Sequence, residues 1–576
     1  MSIVEREHGV AIAGGELPLI LLPTNCPGCG IALEREKMRA QNYVCDCGHH
    51  FRLGADVWIP IVADEGTFQE RWADVRSHDL LKWIVPKRYE AVVDELLAEG
   101  LNESVRTGTC TLDGRAIWLA AFDFGFVGGT LSIVAGERLA RGMEQAASTH
   151  TPYVLVTASG GARMQEGVLA LMQMAKVNAA VGALHAAGVP FFSVLTDPTF
   201  GGTAASLALL ADINIAEPNA AIGFTGPRVI KQATYADLPP GFQSADFQLA
   251  HGQVDMVVPR TELRPLLAHL LELYSSVPTP KSGDYSHPTK SSISRGPRSG
   301  TPVSVWEIVE LARHPERPYA LDYIRRLAPD FVELHGDRLS ADDPAIVGGA
   351  GSWHGRTTMF IGHQKGRTLK ERVARNWGMM HPEGYRKAIR LAKHAAKFGF
   401  PIVSLIDTPG AYPGAGAEER GIASAIAIAI MEWFRIPVPI LAAVIGEGGS
   451  GGALGMGVAD RVLMLENSIY SVASPEAAAS IVWRDNTRKV EAAEQLQITS
   501  REIHAMGVVE EVIPEPKGSA RADYDGAARA LDEALQRNLQ PLLVLPTEEL
   551  LQRRYDRFRY IDSLVRAEPQ FGPKID

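Results

Sequence analysis

Residues 440–460 read ILAAVIGEGGSGGALGMGVAD, and residues 191–212 read FFSVLTDPTFGGTAASLALLAD. Each opens on an apolar run, passes through a glycine-rich turn into an alanine-rich helical segment, and closes on Ala-Asp before the next apolar run. Apolar runs of strand length alternating with helix-length segments are the pattern of an α/β domain with buried parallel strands. With an offset of 248, Gly201 falls on Gly449, Ala205 on Ala453, Ala211-Asp212 on Ala459-Asp460, Asn219 on Asn467 and Pro227 on Pro475, without a gap. Six identities in 27 positions are few, but they gain weight because the chemistry falls in register. Upstream, Pro152-Tyr153-Val154 and Pro401-Ile402-Val403 each open a strand at nearly the same offset. The repeat predicts two related α/β domains.

Working outward, Ile117 to Phe122, Tyr153 to Thr157 and Phe191 to Leu195 are predicted strands, with a helix over Met164 to Leu184 and another near Tyr89 to Leu101. Residues 276–302, SVPTPKSGDYSHPTKSSISRGPRSGTP, carry no periodic apolar face and are dense in Pro, Ser, Gly and basic residues, as a linker is. The expected organisation is a cysteine module at 22–54, one α/β domain at 55–275, the linker at 276–302, and a second α/β domain at 303–576 that ends in a polar helical tail from about Tyr524 to Arg566.

The chain has 576 residues, 46% hydrophobic and 22% charged, which is ordinary globular composition and too long for one core. Its net charge of −10 gives no global attraction to nucleic acid or anionic membrane, so a polyanionic ligand needs a local basic patch. The most apolar stretch, Ile436 to Val458, is broken by two prolines, seven glycines and Glu447, and the start MSIVEREHG lacks the apolar run of a signal peptide. A cytoplasmic protein with no membrane segment is expected.

Four of the five cysteines lie between positions 26 and 47. Cys26-Pro27-Gly28-Cys29 and Cys45-Asp46-Cys47 are two tight turns whose glycines let backbone amides face thiolates, and four thiolates satisfy a tetrahedral Zn²⁺. The second turn is C-x-C, one residue short of the usual spacing, which leaves His49 as an alternative fourth ligand. Four sulfur ligands leave no open position, so a structural Zn²⁺ on Cys26, Cys29, Cys45 and Cys47 is expected.

Four glycine-rich turns carry the chemistry: Ala158-Ser-Gly-Gly-Ala-Arg-Met-Gln-Glu166, Asp197-Pro-Thr-Phe-Gly-Gly-Thr203, Asp407-Thr-Pro-Gly-Ala-Tyr-Pro-Gly414 and Gly446-Glu-Gly-Gly-Ser-Gly-Gly452. Each follows a predicted strand and precedes a helical pattern, so backbone N–H groups and a helix N-terminus converge where an oxyanion could sit. In any single turn the glycines could serve close packing alone; four at comparable places in two domains make that reading weaker. No G-x-x-x-x-G-K-[ST] is present and no G-x-G-x-x-G lies between a first strand and helix with an acid about 20 residues later, which demotes nucleotide hydrolysis and dinucleotide chemistry; Ser159 precedes Gly160-Gly161 with nothing placing a histidine base beside it, which demotes serine hydrolysis.

SGGARMQEG (159–167), SVLTDPTFGG (193–202), ADINIAEPNAAIGFTGPRVI (211–230) and LPPGFQSADF (238–247), following the cysteine turns, resemble the zinc-bearing β subunit of bacterial acetyl-CoA carboxylase carboxyltransferases. RPYALDYI (317–324), IGHQKGR (361–367), NWGMMHPEGYRKAIRLAKHA (376–395), IDTPGAYPGAGAEERG (406–421) and VIGEGGSGGALGMGVADRV (444–462) resemble the α subunit. The resemblance covers about 26 to 274 and 304 to 558, and looks like the two subunits fused, β then α. It implies two crotonase-like domains with a zinc ribbon, and transfer of CO₂ from carboxybiotin on a biotin carboxyl carrier protein to acetyl-CoA, giving malonyl-CoA. Biotin carboxylase and a homodimer or higher oligomer are the other implied partners.

The resemblance also implies two oxyanion holes, Gly201-Gly202 for the thioester enolate and Gly451-Gly452 for the biotin ureido oxygen. Gly448-Gly449 stay candidates because the internal register sets Gly201 opposite Gly449; Gly451-Gly452 are favoured because they stand closest to the following helix. Gly160 and Gly161 are expected to face substrate. Lys365 and Arg367, in a basic cluster with Lys370, Arg372 and Arg375, are candidates for the phosphates of CoA or for the carrier protein, and Arg163 is expected to brace its turn by a salt bridge. A carboxyltransferase for propionyl-CoA or another acyl-CoA, a decarboxylase coupled to a membrane pump, and a zinc-ribbon nucleic-acid-binding protein are the alternative readings.

Overall fold

The computed structural model describes residues 23–84, 87–275 and 304–562. The linker expected at 276–302 and the chain start at 1–22 lie outside them. The described chain packs as two units, residues 23–163 with 180–275, and residues 164–179 with 304–562.

In the first unit the strands are β1 (Gln69–Glu70), β2 (Val105–Leu112), β3 (Arg115–Phe122), β4 (Tyr153–Ser159), β5 (Phe191–Phe200), β6 (Ile213–Ala216), β7 (Ile222–Gly223) and β8 (Met256–Val257). They order as β1-β2-β3-β4-β5-β6-β8, with β7 beside β5. The second unit repeats this with β9 (Val332–Glu333), β10 (Ile346–Trp353), β11 (Arg356–His363), β12 (Ile402–Thr408), β13 (Ile440–Gly449), β14 (Arg461–Leu465), β15 (Ile469–Ser471) and β16 (Glu511–Ile513), ordered β9-β10-β11-β12-β13-β14-β16 with β15 beside β13. In both, an antiparallel edge gives way to parallel pairing at the third strand. Every residue of β4, β12 and β13 is buried, as strands covered on both faces must be, which is why these runs carry almost no alternation. The cores form around Trp58, Leu119, Val156 and Phe192 in the first unit and around Tyr323, Phe360, Leu441 and Leu531 in the second.

The gapless register between the halves needs one correction. Tyr153 lies opposite Phe191 and Ile402 opposite Ile440, so both strand pairs correspond at an offset of 249. Phe192 lies opposite Ile213 and Leu441 opposite Arg461, so beyond the turn the offset is 248. The first unit therefore holds one extra residue, which is absorbed by the π-helical turn Ala204–Ala208. The shared Ala-Asp has a physical cause: Asp212 accepts the amide of Phe191 at 2.8 Å and Asp460 that of Ile440 at 2.7 Å, each fixing the start of its central strand.

The polar tail is two helices, Tyr524–Leu539 and Thr547–Arg559, and is not peripheral. Leu531 and Leu535 enter the second core, and buried Arg554 donates to both oxygens of Asp460 and to the carbonyls of Trp433, Ile436 and Val438. Among the described residues one helix, Met164–Ala186, is long and apolar enough to cross a membrane, but 89% of its most apolar window is buried in the protein. Its part 164–179 packs in the second unit, where Lys176 forms a buried ion pair with Asp562 at 2.8 Å.

Candidate active site

In the first unit β4 leads directly into Gly160-Gly161 and the neighbouring β5 into Gly201-Gly202, so parallel pairing brings the two turns together. Gly161 has φ +111 and Gly201 φ +59, and a Cβ on either would lie 3.0–3.1 Å from the other's Cα; only glycine allows this contact. The Ser159 hydroxyl accepts the Gly161 amide at 3.1 Å and bonds Thr203 Oγ1 at 2.7 Å, tying the strand end to the helix start. Three of the four glycine amides are already committed: Gly160 donates to Gly128 O at 2.9 Å, Gly161 to Ser159, and Gly201 to Phe224 O at 3.1 Å. Gly202 lies in the first helical turn, where an amide has no intrahelical acceptor, and no side chain caps this helix. Of the four, its N–H is the one without an acceptor among the described residues.

The second unit builds the same corner. Thr408 Oγ1 accepts the Gly410 amide at 3.2 Å, as Ser159 does for Gly161. The turn after β13 begins with Ser450 at φ +54, which matches Gly201 at φ +59 under the corrected register and sets Gly451 opposite Gly202. Gly448 and Gly449 fall within β13, opposite Tyr470 and Ser471 of β15, while Gly451 and Gly452 open the helix Ser450–Leu454. A Cβ on Gly452 would overlap the backbone of Gly410 and Ala411, so the two turns are in direct backbone contact.

The basic cluster is arranged differently from what its sequence suggests. Lys365 is largely buried, with its ammonium 2.7 Å from Asp407 and 2.6 Å from Glu447, and it presents no free charge to a phosphate. Burial works against that ammonium, but the two carboxylates outweigh it and push its pKa up to about 12. Burial likewise opposes the Glu447 charge, and Lys365 with Arg313 outweighs it, holding the carboxyl at about 2. Arg313 also binds Glu476 at 2.7 Å. Arg367 is half-exposed, pairs with Asp322 at 2.7 Å and lies over the rings of Tyr319 and Tyr524. Arg372 and Arg375 donate to the carbonyls of Gly366 and Pro344. The sequence reading passed over the Asp407–Lys365–Glu447–Arg313 network; its signal was a charged residue inside each of two otherwise apolar strands. It also passed over the doublet Gly128-Gly129, whose first carbonyl holds Gly160.

Arg163 braces its turn. It is fully buried and donates to Glu103 at 2.7 Å, to Tyr89, to Ser77 and Ser104, and to Thr130. Burial alone would raise the Glu103 carboxyl, but the Arg163 charge outweighs it and lowers it. Arg163→Met is expected to cost about 3–5 kcal/mol at pH 7 by stranding a buried carboxylate, as read by urea unfolding. In the wild type this contribution is present above about pH 4 and is lost as pH falls through the depressed pKa; in the variant the unpaired Glu103 is protonated first in the folded state, so its deficit shrinks as the pH drops toward about 4.

The cysteine module brings all four Sγ atoms within 4.8 Å of one another, with Cys26–Cys47 and Cys29–Cys45 both at 3.7 Å. A tetrahedron with metal–sulfur bonds of about 2.3 Å has edges of about 3.8 Å. The short C-x-C turn therefore does deliver Cys47, while the His49 ring packs edge-on against Phe51. The module is seated on its unit by buried Arg260, which binds Glu217 at 2.6 Å and donates to the carbonyls of Asn42, Tyr43 and Phe51.

These corners can be set beside known proteins. A family model described as acetyl co-enzyme A carboxylase carboxyltransferase-like matches residues 299–562. The acetyl-coenzyme A carboxylase carboxyl transferase subunits beta/alpha of Salinispora tropica is 47% identical over 543 residues, covering 93% of this chain and 95% of that protein. The chain belongs to the acetyl-CoA carboxylase carboxyltransferase family. Within that carboxyltransferase family it has the fused organisation, β portion first; the separate alpha subunit of Synechococcus sp. strain CC9311 is 56% identical over 257 residues, 45% of this chain and 78% of that one. A solved transcarboxylase 12S structure aligns at 23% identity over 87% of this chain and 92% of its own, with a TM-score of 0.36.

Proposed function

We propose that this carboxyltransferase moves CO₂ from carboxybiotin on a biotin carboxyl carrier protein to acetyl-CoA, giving malonyl-CoA, with biotin carboxylase as the enzyme that recharges the carrier. The observation that carries the reading is the pair of matched corners, in which Gly202 follows Gly201 at φ +59 and Gly451 follows Ser450 at φ +54. The Gly202 amide would face the thioester oxygen and the Gly451 amide the ureido oxygen of biotin. As CO₂ leaves the biotin nitrogen, charge builds on the ureido oxygen; the biotin anion takes the α-proton of acetyl-CoA, charge builds on the thioester oxygen, and the enolate carbon attacks CO₂. Both steps need donors fixed before the charge develops, each contributing roughly 3–4 kcal/mol in a water-poor site. No protein base is required, because the substrate pair supplies it. Gly160-Gly161 shape the Gly202 corner by backbone contact and Gly452 does so for Gly451, while Gly448-Gly449 belong to the strand that leads into it.

The four thiolates would hold one Zn²⁺ in a closed, structural site. A cytoplasmic location and an oligomeric assembly of the fused chain belong to the same proposal. The test is the reverse reaction with biocytin as carboxyl acceptor. Malonyl-CoA is expected to surpass methylmalonyl-CoA as donor by at least about tenfold in kcat/KM, the scale of discrimination one methyl group gives. Preference for methylmalonyl-CoA would instead identify an enzyme for propionyl-CoA.

A further inference from the structure

We propose that Lys365 is a positioning residue for carboxyl transfer, its ammonium clamping the ends of β12 and β13 so that the Gly451 amide points at its target. This rests on the reading of Gly451 given above. The clamp is built from three directions. Lys365 lies just beyond the end of β11, Asp407 near the end of β12 and Glu447 near the end of β13, and the ammonium bonds both carboxylates. Asp407 Oδ1 also accepts the Glu447 amide at 3.0 Å, so the same carboxylate ties backbone to backbone. Glu447 is held from its other side by Arg313 at 2.7 Å. A Cβ on Gly446 would overlap Asp407 Oδ1, and one on Gly378 would lie 3.1 Å from Lys365 Cγ, so the chain leaves room for both partners. Directly after these residues come Pro409-Gly410 and Gly449-Ser450-Gly451, the two turns that touch.

The fold itself does not need these charges. Under the strand register, Trp118 corresponds to Met359, Tyr153 to Ile402 and Phe191 to Ile440, which places Phe124, Ala158 and Pro198 of the first unit where the second has Lys365, Asp407 and Glu447. The three matched positions are thus filled once by uncharged residues, with the exposed Arg52–Asp197 pair beside them, and once by three ions. Buried ion pairs seldom stabilise a protein more than apolar residues of similar size, so stability does not account for them. What an ammonium between two carboxylates adds is direction: it fixes both strand ends to one point.

Lys365→Met and Gly451→Val are compared in the malonyl-CoA-to-biocytin reaction, with kcat and KM read separately from pH 6 to 9. Lys365→Met is expected to lower kcat about 100-fold while the malonyl-CoA KM stays within about twofold, the split expected when only transition-state contacts weaken. Its kcat should also recover as the pH falls, because a proton shared by Asp407 and Glu447 replaces the ammonium; the wild type should show no such gain. Wild-type kcat in a folded Lys365→Met, or a raised malonyl-CoA KM at unchanged kcat, overturns the proposal. If Lys365→Met does not fold, Glu447→Gln is read instead: kcat lower by about tenfold at unchanged KM supports the clamp, and wild-type kcat overturns it. Turnover by Gly451→Val would sink the reading of the site; an inactive Gly451→Val beside a fully active Lys365→Met sinks only the clamp.

Discussion

Gly202→Val is expected to lose carboxyl transfer by at least 100- to 1000-fold in kcat, about the effect of deleting one oxyanion donor, while the sheet stays folded. Gly202 sits at the start of the helix that follows β5, next to Gly201, whose contact with Gly161 leaves no room for a side chain. A β-branched side chain there would stand beside the one amide of the four that has no acceptor among the described residues. Gly160→Ala makes the contrasting control. A Cβ there meets nothing closer than 3.5 Å, and the Gly160 amide already donates to Gly128 O, so a small effect is expected. Circular dichroism and thermal unfolding should find both variants folded. Wild-type turnover in a folded Gly202→Val would remove the oxyanion assignment.

Much of the architecture was legible because buried parallel strands are nearly all apolar. Ile440–Gly449 and Ile402–Thr408 announce themselves in that way, and the repeated Ala-Asp records a hydrogen bond that starts each central strand. The register between the halves was legible only to within one residue. An extra residue accommodated by a π-helical turn leaves no mark on hydrophobic periodicity, and it moved Gly201 from Gly449 to Ser450. Closeness to the following helix favoured Gly451-Gly452, which do open it, whereas the internal register, one residue off, pointed to Gly449 within the strand. Lys365 shows the other limit. Its neighbours in sequence are basic, whereas its partners Asp407 and Glu447 are 42 and 82 positions away, so a patch that reads as solvated cation is a buried clamp. Charge pattern along a chain reports composition, and only the pairing of β11, β12 and β13 reports which charges meet.

With Zn²⁺ held by the four thiolates as proposed, removing it, by chelation or by Cys47→Ser, is expected to unfold residues 26–51 while the sheet of the first unit persists. The module's buried core is only Cys26, Met38, Cys45 and Phe51, with Leu33 and Tyr43 packed against it. So small a core cannot offset the ordering of its backbone, whereas a structural zinc in small metal-dependent folds supplies on the order of 10–16 kcal/mol. The seat on Arg260 does not replace that. Its bonds to the carbonyls of Asn42, Tyr43 and Phe51, at 3.2, 3.4 and 3.0 Å, require those carbonyls to be held in place first. Arg260 itself stays satisfied through Glu217, so the rest of the unit has little reason to follow. Arg52, from the edge of the module, also pairs with Asp197 at 2.8 Å, four residues before Gly201. With both side chains more than a third exposed, that pair contributes less than about 1 kcal/mol, so metal loss should lower transfer activity modestly and leave binding of acetyl-CoA measurable. Hydrogen exchange and limited proteolysis read the outcome directly: new cleavage and lost protection confined to residues 26–51, with one zinc per chain recovered from the intact protein. A metal-free protein whose residues 26–51 keep full protection would show that Arg260 and the small core hold the module without the ion.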